Sequence, residues 1–316
     1  METVANGILL EPIKDEWIRF IHQLQDDICA ALEACDGRSR FMEEKWEREG
    51  GGGGKTRVVK DGNVFEKGGV NTSVVHGKVT DKMRRFMSDM QGDSWFACGL
   101  SMVLHPSNPF VPTTHCNYRL FELYDENGDV ADRWFGGGTD LTPCYLFAED
   151  AKHFHRTYKD VCDRYDVTFY PDMKKECDAY FVNHHRNNEN RGIGGIFYDH
   201  KRPTQEKDSA FWMRFAKDCG YALMESYIPV VNRRKAMPYS PENKFWQEIR
   251  RGRYTEFNLL WDRGTIFGLK TDGRTESILM SLPPTVRFAY DYRPAPGSEE
   301  AKLQEACLHP KDWVLV

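Results

Sequence analysis

The stretch CNYRLFELYDENGDVADRWFGG, residues 116–137, carries the pattern that decides the fold. CNYRLFELYD is rich in aromatic and aliphatic side chains, and the turn-rich segment DENGD joins it to RWFGG. Apolar runs on both sides of a turn that contains Asn, Gly and Asp are typical of a β-hairpin. The stretch therefore predicts two adjacent antiparallel strands.

Further strands and helices are predicted on both sides of this hairpin. Strand candidates are TRVV, NVFEKG and VNTSVVHG between residues 56 and 77, FACGLSMVLHP (96–106), IGGIFYD (193–199) and RYTEFNLLW (253–261). Helical spacing of apolar residues predicts helices at 13–35, 149–165, 172–187, 207–226 and 241–251. Because the strands arrive mostly as hairpins and not as alternating βα units, we expect an α+β fold with a large, mainly antiparallel sheet covered by helices.

The composition excludes some classes of protein. Of the 316 residues, 40% are hydrophobic and 29% are charged, and the formal net charge is −5. A chain of this length suits one large domain or two small ones. The acidic balance argues against a protein that binds nucleic acid through bulk charge. No apolar run approaches the roughly 18 residues of a membrane-spanning helix.

The cysteines indicate a reducing compartment. Nine occur singly, namely Cys29, Cys35, Cys98, Cys116, Cys144, Cys162, Cys177, Cys219 and Cys307. Their odd number, and the lack of any Cys-x-x-Cys pattern in the sequence, argue against a disulfide framework or a cysteine zinc site. The first residues also lack the apolar segment of a secretory signal. We therefore expect a cytoplasmic protein.

Two glycine runs raise the question of a ligand. EREGGGGGKT (47–56) is similar to a phosphate-binding loop, but Glu49 stands where the pattern G-x-x-x-x-G-K-[ST] needs its first glycine. We interpret this run as a flexible or ligand-ordered loop. The second run lies in WFGGGTDLTP (134–143), beside Asp140. It is compatible with a phosphate cradle, a strained turn, a floor under a flat ligand, or a β-bulge without a ligand role.

Histidines in the middle of the chain offer either metal ligands or acid–base groups. His105, His115, His155 and His185 together could hold a metal through neutral imidazoles, but their spacing matches no short metal signature. Buried or acid–base histidines are the alternative that we favour. The sequence also lacks the G-x-S-x-G elbow of a serine hydrolase.

Arginines point to a substrate with carboxylates. Arg119 lies in a predicted strand two positions from Asn117, so both side chains face the same way. Asp262 and Arg263 follow the predicted strand RYTEFNLLW, and Arg274 comes shortly afterwards. Because arginine binds carboxylates bidentately, several such side chains beside aromatic residues suit a flat ligand with several carboxylates. Surface ion pairs are the alternative for each arginine.

Six long segments together resemble the oxygen-dependent coproporphyrinogen III oxidases. They are GGVNTSVVHG (68–77), HPSNPFVPTTHCNYR (105–119), WFGGGTDLTP (134–143), HRNNENRGIGGIF (185–197), RRGRYTEFNLLWDRGTIFGL (250–269) and GRTESILMSLPP (273–284). The resemblance keeps one register from about residue 40 onward. We therefore expect one domain over 1–316, with an N-terminal helical segment over 1–40. His200 departs from the family, which often has a second Asp at that position.

The resemblance implies a fold and an activity. It implies an antiparallel sheet of about seven strands flanked by helices on both faces, in a homodimer with residues 58–67 and about 254–292 at the interface. It also implies oxidative decarboxylation of two propionates of coproporphyrinogen III to vinyl groups. The products are protoporphyrinogen IX, CO2 and H2O2, with O2 as co-substrate, no organic cofactor and a doubtful metal requirement.

The resemblance also implies roles for individual residues. Substrate-binding positions are Ser101, Asn117, Tyr118, Arg119, Arg263, Asp272, Gly273 and Arg274, and catalytic positions are His115, Asp140 and Asp262. His115 matches a proton donor, and the two aspartates match carboxylates that meet the pyrrole nitrogens. The glycines Gly136–Gly138 are then expected to aim Asp140 into the cavity.

The expected chemistry starts at a pyrrole N–H. Loss of this proton gives an electron-rich anion that reacts directly with O2, and the resulting peroxide removes a proton from the propionate β-carbon as CO2 leaves. Asp262 either takes the pyrrole proton or only orients the N–H group, because a free aspartate with a pKa near ~3.9 is a weak base. The alternative for Asp262 is a salt bridge or a turn cap.

Two other functions remain compatible with the sequence. A histidine-based metalloenzyme, such as a non-haem oxygenase, differs in that its activity depends on a bound metal. A non-catalytic tetrapyrrole carrier differs in that it binds coproporphyrinogen without converting it.

Overall fold

Strands form the centre of the structure. In a computed structural model that describes residues 4–5, 8–9, 13–86, 92–270 and 273–315, they are β1 (Val4–Ala5), β2 (Ile8–Leu9), β3 (Met42–Glu47), β4 (Gly52–Lys60), β5 (Phe65–Lys78), β6 (Ser94–Pro106), β7 (Thr113–Tyr124), β8 (Val130–Thr142), β9 (Val182–Asn183), β10 (Glu189–Asn190) and β11 (Gly194–Lys201). One sheet has the order β11-β8-β7-β6-β5-β4-β3. All its neighbouring strands are antiparallel.

Helices cover both faces of this sheet. They are α1 (Ile13–Asp36), α2 (Asp81–Phe86), α3 (Ala148–Asp163), α4 (Phe169–Tyr180), α5 (Ser209–Arg234), α6 (Pro241–Leu260), α7 (Arg263–Lys270), α8 (Thr275–Leu279) and α9 (Glu299–Leu308). On one face, the rings of Trp17 in α1 and Phe135 in β8 lie 5.4 Å apart. On the other, Met280 at the end of α8 fills the space above Gly69 of β5. The predicted α+β fold is confirmed.

The hairpin of residues 116–137 directs its side chains alternately to the two faces of the sheet. β7 and β8 pair with Arg119 opposite Gly136 and Phe121 opposite Trp134. Because side chains alternate along a strand, Tyr118 and Leu120 enter the core on the α1 side, where both are fully buried. Asn117 and Arg119 therefore point to the opposite face.

The N-terminal helix shows the apolar spacing that predicted it. Trp17, Ile21, Leu24 and Ile28 recur every three or four residues and are fully buried. The expected helical segment over 1–40 is narrower in the structure, where α1 covers Ile13–Asp36 and the short strands β1 and β2 precede it. In the described part of the chain, no helix has the length and apolar character needed to cross a membrane.

Two predictions of secondary structure were wrong. RYTEFNLLW is not a strand: residues 253–260 lie inside helix α6, and Trp261 caps the end of this helix. This helix starts with a capping box between Ser240 and Asn243 and with Pro241 in its first turn, which favours a helix. It is buried continuously from Trp246 to Asn258 apart from Glu248, so its apolar residues follow no amphipathic period. The helix predicted at 172–187 ends at Tyr180, and β9 follows.

Asp36 joins the end of α1 to the hairpin of β4 and β5, and its removal is a test of this packing. Its carboxylate accepts backbone hydrogen bonds from Ser39, Val64 and Phe65, at 2.9, 2.8 and 3.1 Å. We expect Asp36→Asn to lower the free energy of unfolding by about 1.5–3 kcal/mol, because hydrogen bonds to a charged acceptor are lost. Urea titration of both proteins measures the difference.

The same substitution has a predicted pH dependence. Burial alone raises the pKa of Asp36, but the backbone N–H groups outweigh it and hold the pKa below the ordinary value. A carboxylate with a lowered folded-state pKa stabilises the protein above the pKa of the unfolded chain, near ~3.9, and loses this contribution as the pH falls through the folded-state pKa. The difference between the two proteins should therefore shrink below about pH 4. A constant difference would contradict the role of the charge.

Candidate active site

A cavity of about 1770 Å³ lies over the sheet face opposite α1. Its floor includes a polar row across four strands, since Asn71 pairs with Ser101, Ser101 with Asn117, and Asn117 with Gly138. All four residues line the cavity, together with Arg119. The structure thus brings together Ser101, Asn117 and Arg119, as the sequence predicted for a pocket, and adds Asn71.

Gly136 leaves space for an ion pair. Arg119 Nη2 lies 2.8 Å from Asp199 Oδ1, and a Cβ atom on Gly136 would lie 2.8 Å from Arg119 Nε and 2.9 Å from Asp199 Oδ1. Arg263 Nη2 lies 3.7 Å from the other Asp199 oxygen. One carboxylate therefore faces two cavity arginines, and the glycine run permits the close approach of their side chains to the strand.

His115 is held by a buried ion pair. Its Nδ1 lies 2.7 Å from Asp140 Oδ1, and Arg191 Nη2 donates to both Asp140 oxygens at 2.9 and 2.7 Å. Burial alone raises the pKa of Asp140, but the charge of Arg191 and the hydrogen bond with His115 hold that pKa below its ordinary value. An ionised Asp140 favours a proton on Nδ1 of His115, so Nε2 is the ring nitrogen that can exchange a proton with a molecule in the cavity.

The position of Asp140 differs from the prediction. Its side chain is only 4% exposed, and it lies behind His115 instead of at the cavity surface. The reason is the attraction of Arg191, whose guanidinium is buried between aromatic rings, 4.2 Å from the centroid of Phe181 and 4.5 Å from that of Tyr254. Sequence analysis gave Arg191 no role. The signal was an arginine directly before the glycine-rich strand β11, but its partner lies 51 positions away in the chain.

Asp262 begins a helix at the cavity wall. Its Oδ2 accepts hydrogen bonds from the Thr265 backbone N–H at 2.8 Å and from the Thr265 hydroxyl at 2.7 Å, which is the geometry of a helix cap. Its Oδ1 accepts from the Tyr180 hydroxyl at 2.8 Å. Asp262 therefore follows helix α6 and starts α7, and the reasoning that placed it at a strand end was wrong. Arg263 lies over the ring of Tyr180, 4.8 Å from its centroid.

The remaining residues that were predicted to bind substrate do not all lie in the cavity. Arg274 and Gly273 line the cavity, and Arg274 donates to Ser277 Oγ at 2.9 Å and pairs with Glu44 at 2.6 Å. Asp272 lies outside the described residues. The side chain of Tyr118 is fully buried on the other face of the sheet, where its hydroxyl lies 2.6 Å from Thr139 Oγ1. Strand alternation explains this last correction, because Asn117 and Arg119 occupy the cavity face.

The four histidines considered as metal ligands take part in separate hydrogen bonds. His105 meets the Ser281 carbonyl, His155 the Tyr170 hydroxyl and His185 the Glu256 carboxylate, while His115 meets Asp140. Burial lowers the pKa of His105 to about 3 and lowers that of His155 well below its ordinary value. Among the described residues, no group of three or more His, Cys, Asp or Glu side chains has an arrangement that could hold a metal.

The fold and the site define an α+β enzyme with a large cavity that is lined by arginines, aromatic rings and His115. The chain belongs to the coproporphyrinogen III oxidase family, whose profile matches residues 16–313.

Relatives of known name extend over almost the whole chain. The oxygen-dependent coproporphyrinogen-III oxidase of chloroplasts from Glycine max is 49% identical over 311 residues, which is 96% of this chain and 80% of the relative. Coproporphyrinogen-III oxidase 1 of Arabidopsis thaliana, also chloroplastic, is 50% identical over 93% of this chain and 78% of its own length. A bacterial oxygen-dependent coproporphyrinogen-III oxidase, from Prochlorococcus marinus strain NATL1A, is 48% identical over 93% of this chain and 89% of its own length.

A mutant cycle tests the ion pair behind His115. Arg191→Met leaves a buried carboxylate without its partner, and we expect a loss of about 3–5 kcal/mol in the free energy of unfolding. Asp140→Asn combined with Arg191→Met should lose clearly less than the sum of the two single variants, because it removes both charges.

Arg186→Met is the matched control. Arg186 also pairs with a carboxylate, that of Glu256, but its side chain is 41% exposed, so its loss should be about 1 kcal/mol or less. Strictly additive losses at Asp140 and Arg191 in chemical denaturation would contradict the pairing.

Proposed function

We propose that this protein converts coproporphyrinogen III to protoporphyrinogen IX in porphyrin biosynthesis. In each of two steps a propionate group, O2 and a proton give a vinyl group, CO2 and H2O2. The observation that carries the proposal is an identity of 48–50% to relatives named coproporphyrinogen-III oxidase, over more than nine tenths of the chain.

The lining of the cavity supports this substrate class. Arg119, Arg263 and Arg274 line it, and we propose that they bind propionates, because guanidinium groups pair with carboxylates in a fixed geometry. Trp95, Phe121 and Trp134 form an aromatic wall on the same face, which suits an electron-rich macrocycle. Ser101 and Asn117 provide polar contacts at the floor.

Proton transfer is assigned to His115 in this proposal. Asp140 and Arg191 fix its Nδ1, so Nε2 gives or accepts protons at the reacting ring. Asp262 uses both carboxylate oxygens as acceptors within the protein, which favours the orienting role over that of the base. Reaction with O2 relies on the electron-rich pyrrole itself, and we propose that it needs no organic cofactor and no redox metal.

A direct assay tests the function. The protein is incubated with coproporphyrinogen III in air, and the porphyrin fluorescence is read after mild oxidation together with the O2 consumed. The proposal requires two O2 per molecule of protoporphyrinogen IX, from the reaction given above. Tight binding without conversion would identify a carrier, and activity lost with a chelator and restored by a metal would identify a metalloenzyme.

Two variants separate the roles of His115 and Asp262. We expect His115→Gln to lower kcat by about 10²–10⁴, the usual contribution of a positioned acid–base group. Asp262→Asn keeps a side-chain oxygen that can cap α7 and orient an N–H group, so its kcat should fall by about tenfold or less. The melting temperature of each preparation controls for unfolding, and the reverse ranking of the two variants would move proton transfer to Asp262.

We also propose a homodimer that uses residues 58–67 and about 254–292. Several large apolar side chains of the second segment are exposed in the single chain, including Leu260 at 54%, Phe288 at 61% and Tyr290 at 102%. Such a patch is typical of a protein interface. Sedimentation should give a dimer at micromolar concentration, and Leu260→Asp with Phe288→Asp should give a monomer. A wild-type monomer would refute this arrangement.

The domain organisation and the compartment are further proposals. A single domain over 1–316 is supported by a family match that covers residues 16–313 and by one hydrophobic cluster that includes both Trp17 and Val314. A cytoplasmic location is supported by nine free, buried cysteines, which suit a reducing compartment. The chloroplast named for two relatives is the alternative, which localisation of a tagged protein distinguishes.

A further inference from the structure

The glycine-rich segment Gly50–Gly54 forms a tight turn at Gly50 and Gly51, at the rim of the cavity, and Gly52–Gly54 begin strand β4 and are not part of a loop. Gly51 and Gly52 have φ angles of +112° and +81°, and a Cβ atom on Gly52 would lie 2.2 Å from the Val74 carbonyl oxygen. Two hydrogen bonds of Arg48 close the turn: its N–H donates to the Gly52 carbonyl at 2.8 Å, and its carbonyl accepts from the Gly51 N–H at 2.9 Å. The run thus presses the tip of the β3–β4 hairpin against β5.

One glycine of this run makes room for an arginine. A Cβ atom on Gly50 would lie 2.6 Å from Arg48 Nη1. The Arg48 guanidinium instead occupies this space, donates to the His76 carbonyl at 3.2 Å and lies over the ring of Trp95, 5.3 Å from its centroid. Both Arg48 and Trp95 line the cavity. The hairpin therefore brings Arg48 to the cavity wall, between Glu47 and Glu49, which also line the cavity.

Arg48 differs from the other cavity arginines in its charge balance. Arg119 and Arg263 face Asp199, Arg274 pairs with Glu44, and Arg202 pairs with Asp132. Within the described part of the chain, no carboxylate lies within ion-pair distance of Arg48; its contacts are a backbone carbonyl and an aromatic ring. A carboxylate that binds Arg48 displaces no acidic side chain.

The surroundings of Arg48 suit one edge of a large ring. Trp95 stacks on Phe121 with an interplanar angle of 2°, and Phe121 stacks on Trp134 at 18°. Trp95 pairs with Leu123 in the sheet, four residues beyond Arg119, which is about 13 Å along the strand. Arg48 and Arg119 thus stand at two ends of a continuous aromatic surface.

We propose that Arg48 is a carboxylate-binding residue for a propionate that the enzyme does not decarboxylate. On the proposed function, two of the four substrate propionates persist in the product and need a position away from His115. The proposal assigns one of them to Arg48, and it assigns the glycine run the task of placing this guanidinium. It rests on the proposed function for the identity of the substrate.

Binding of stable porphyrins tests this proposal without turnover. The probes are oxidised coproporphyrin III, which has four propionates, and mesoporphyrin, which has two, with tryptophan fluorescence quenching as the readout. Arg48→Met should weaken binding of the four-propionate porphyrin by about tenfold or more, the effect of one charge-assisted hydrogen bond. Binding of mesoporphyrin should fall by a similar factor, because its two propionates are the ones that persist in the product. Arg48→Lys should recover part of the loss.

Further variants exclude a general effect on structure. Arg164→Met removes an exposed arginine that pairs with Asp218, and it should leave both affinities unchanged. Gly50→Ala places a methyl group 2.6 Å from Arg48 Nη1, which the end of this flexible side chain can avoid, so binding should fall less than in Arg48→Met. No loss, or a loss confined to the four-propionate porphyrin, would overturn the proposal, because only that porphyrin carries the two propionates that react.

Kinetics separate this proposal from the proposed function. With active wild-type protein, Arg48→Met should raise KM for coproporphyrinogen III by about tenfold and leave kcat nearly unchanged, because the bound propionate takes no part in the reaction. An unchanged KM, or a fall in kcat alone, would overturn the role of Arg48. A wild-type protein without turnover would refute the proposed function, while the porphyrin affinities would still report on Arg48.

Discussion

The buried ion pair between Asp140 and Arg191 is the interaction on which the site depends. Both side chains are almost inaccessible to water, at 4% and 2% exposed, so each charge is tolerated only because the other is present. The pair connects β8 to the segment that leads into β11, and Arg191 also reaches Asn258 of α6 at 3.0 Å. Through Asp140 it fixes one nitrogen of His115. The pair that joins these elements therefore also fixes the orientation of the His115 ring.

The strict alternation of side chains along the strands determines on which face of the sheet this pair lies. On β7, Tyr118 and Leu120 serve the core, while His115, Asn117 and Arg119 face the cavity. The same sheet therefore stabilises the fold through its buried face and presents polar side chains to the cavity on its other face. Side chains that lie over the cavity face need space next to the strands. Gly136 and Gly69 provide this space because they lack a side chain.

The sequence predicted local features well and long-range ones poorly. The hairpin at 116–137 and the helix α1 follow from turn residues and apolar spacing, which act over a few positions. RYTEFNLLW misled the analysis because α6 is buried without interruption from Ile249 to Asn258 while Leu259 and Leu260 at its end are exposed, so its apolar residues show no helical period. Arg191 was missed, and Asp140 was expected in the cavity, because their contact joins residues 51 positions apart. The cap formed by Asp262 was only an alternative, since the start of α7 was not predicted.

Asp199 gives the cavity an internal counter-ion. It faces Arg119 and Arg263 at once. The hydrogen bond with His200 and the charge of Arg119 hold its pKa well below the ordinary value despite the opposing effect of burial. A carboxylate that approaches these two arginines competes with one that is already present. When such a carboxylate binds, it replaces the ion pairs with Asp199 by similar ones. The free energy of binding is then the small difference between the two sets of ion pairs and not the full attraction of two cations. At this end of the cavity, two arginines can therefore attract a carboxylate and still release it readily.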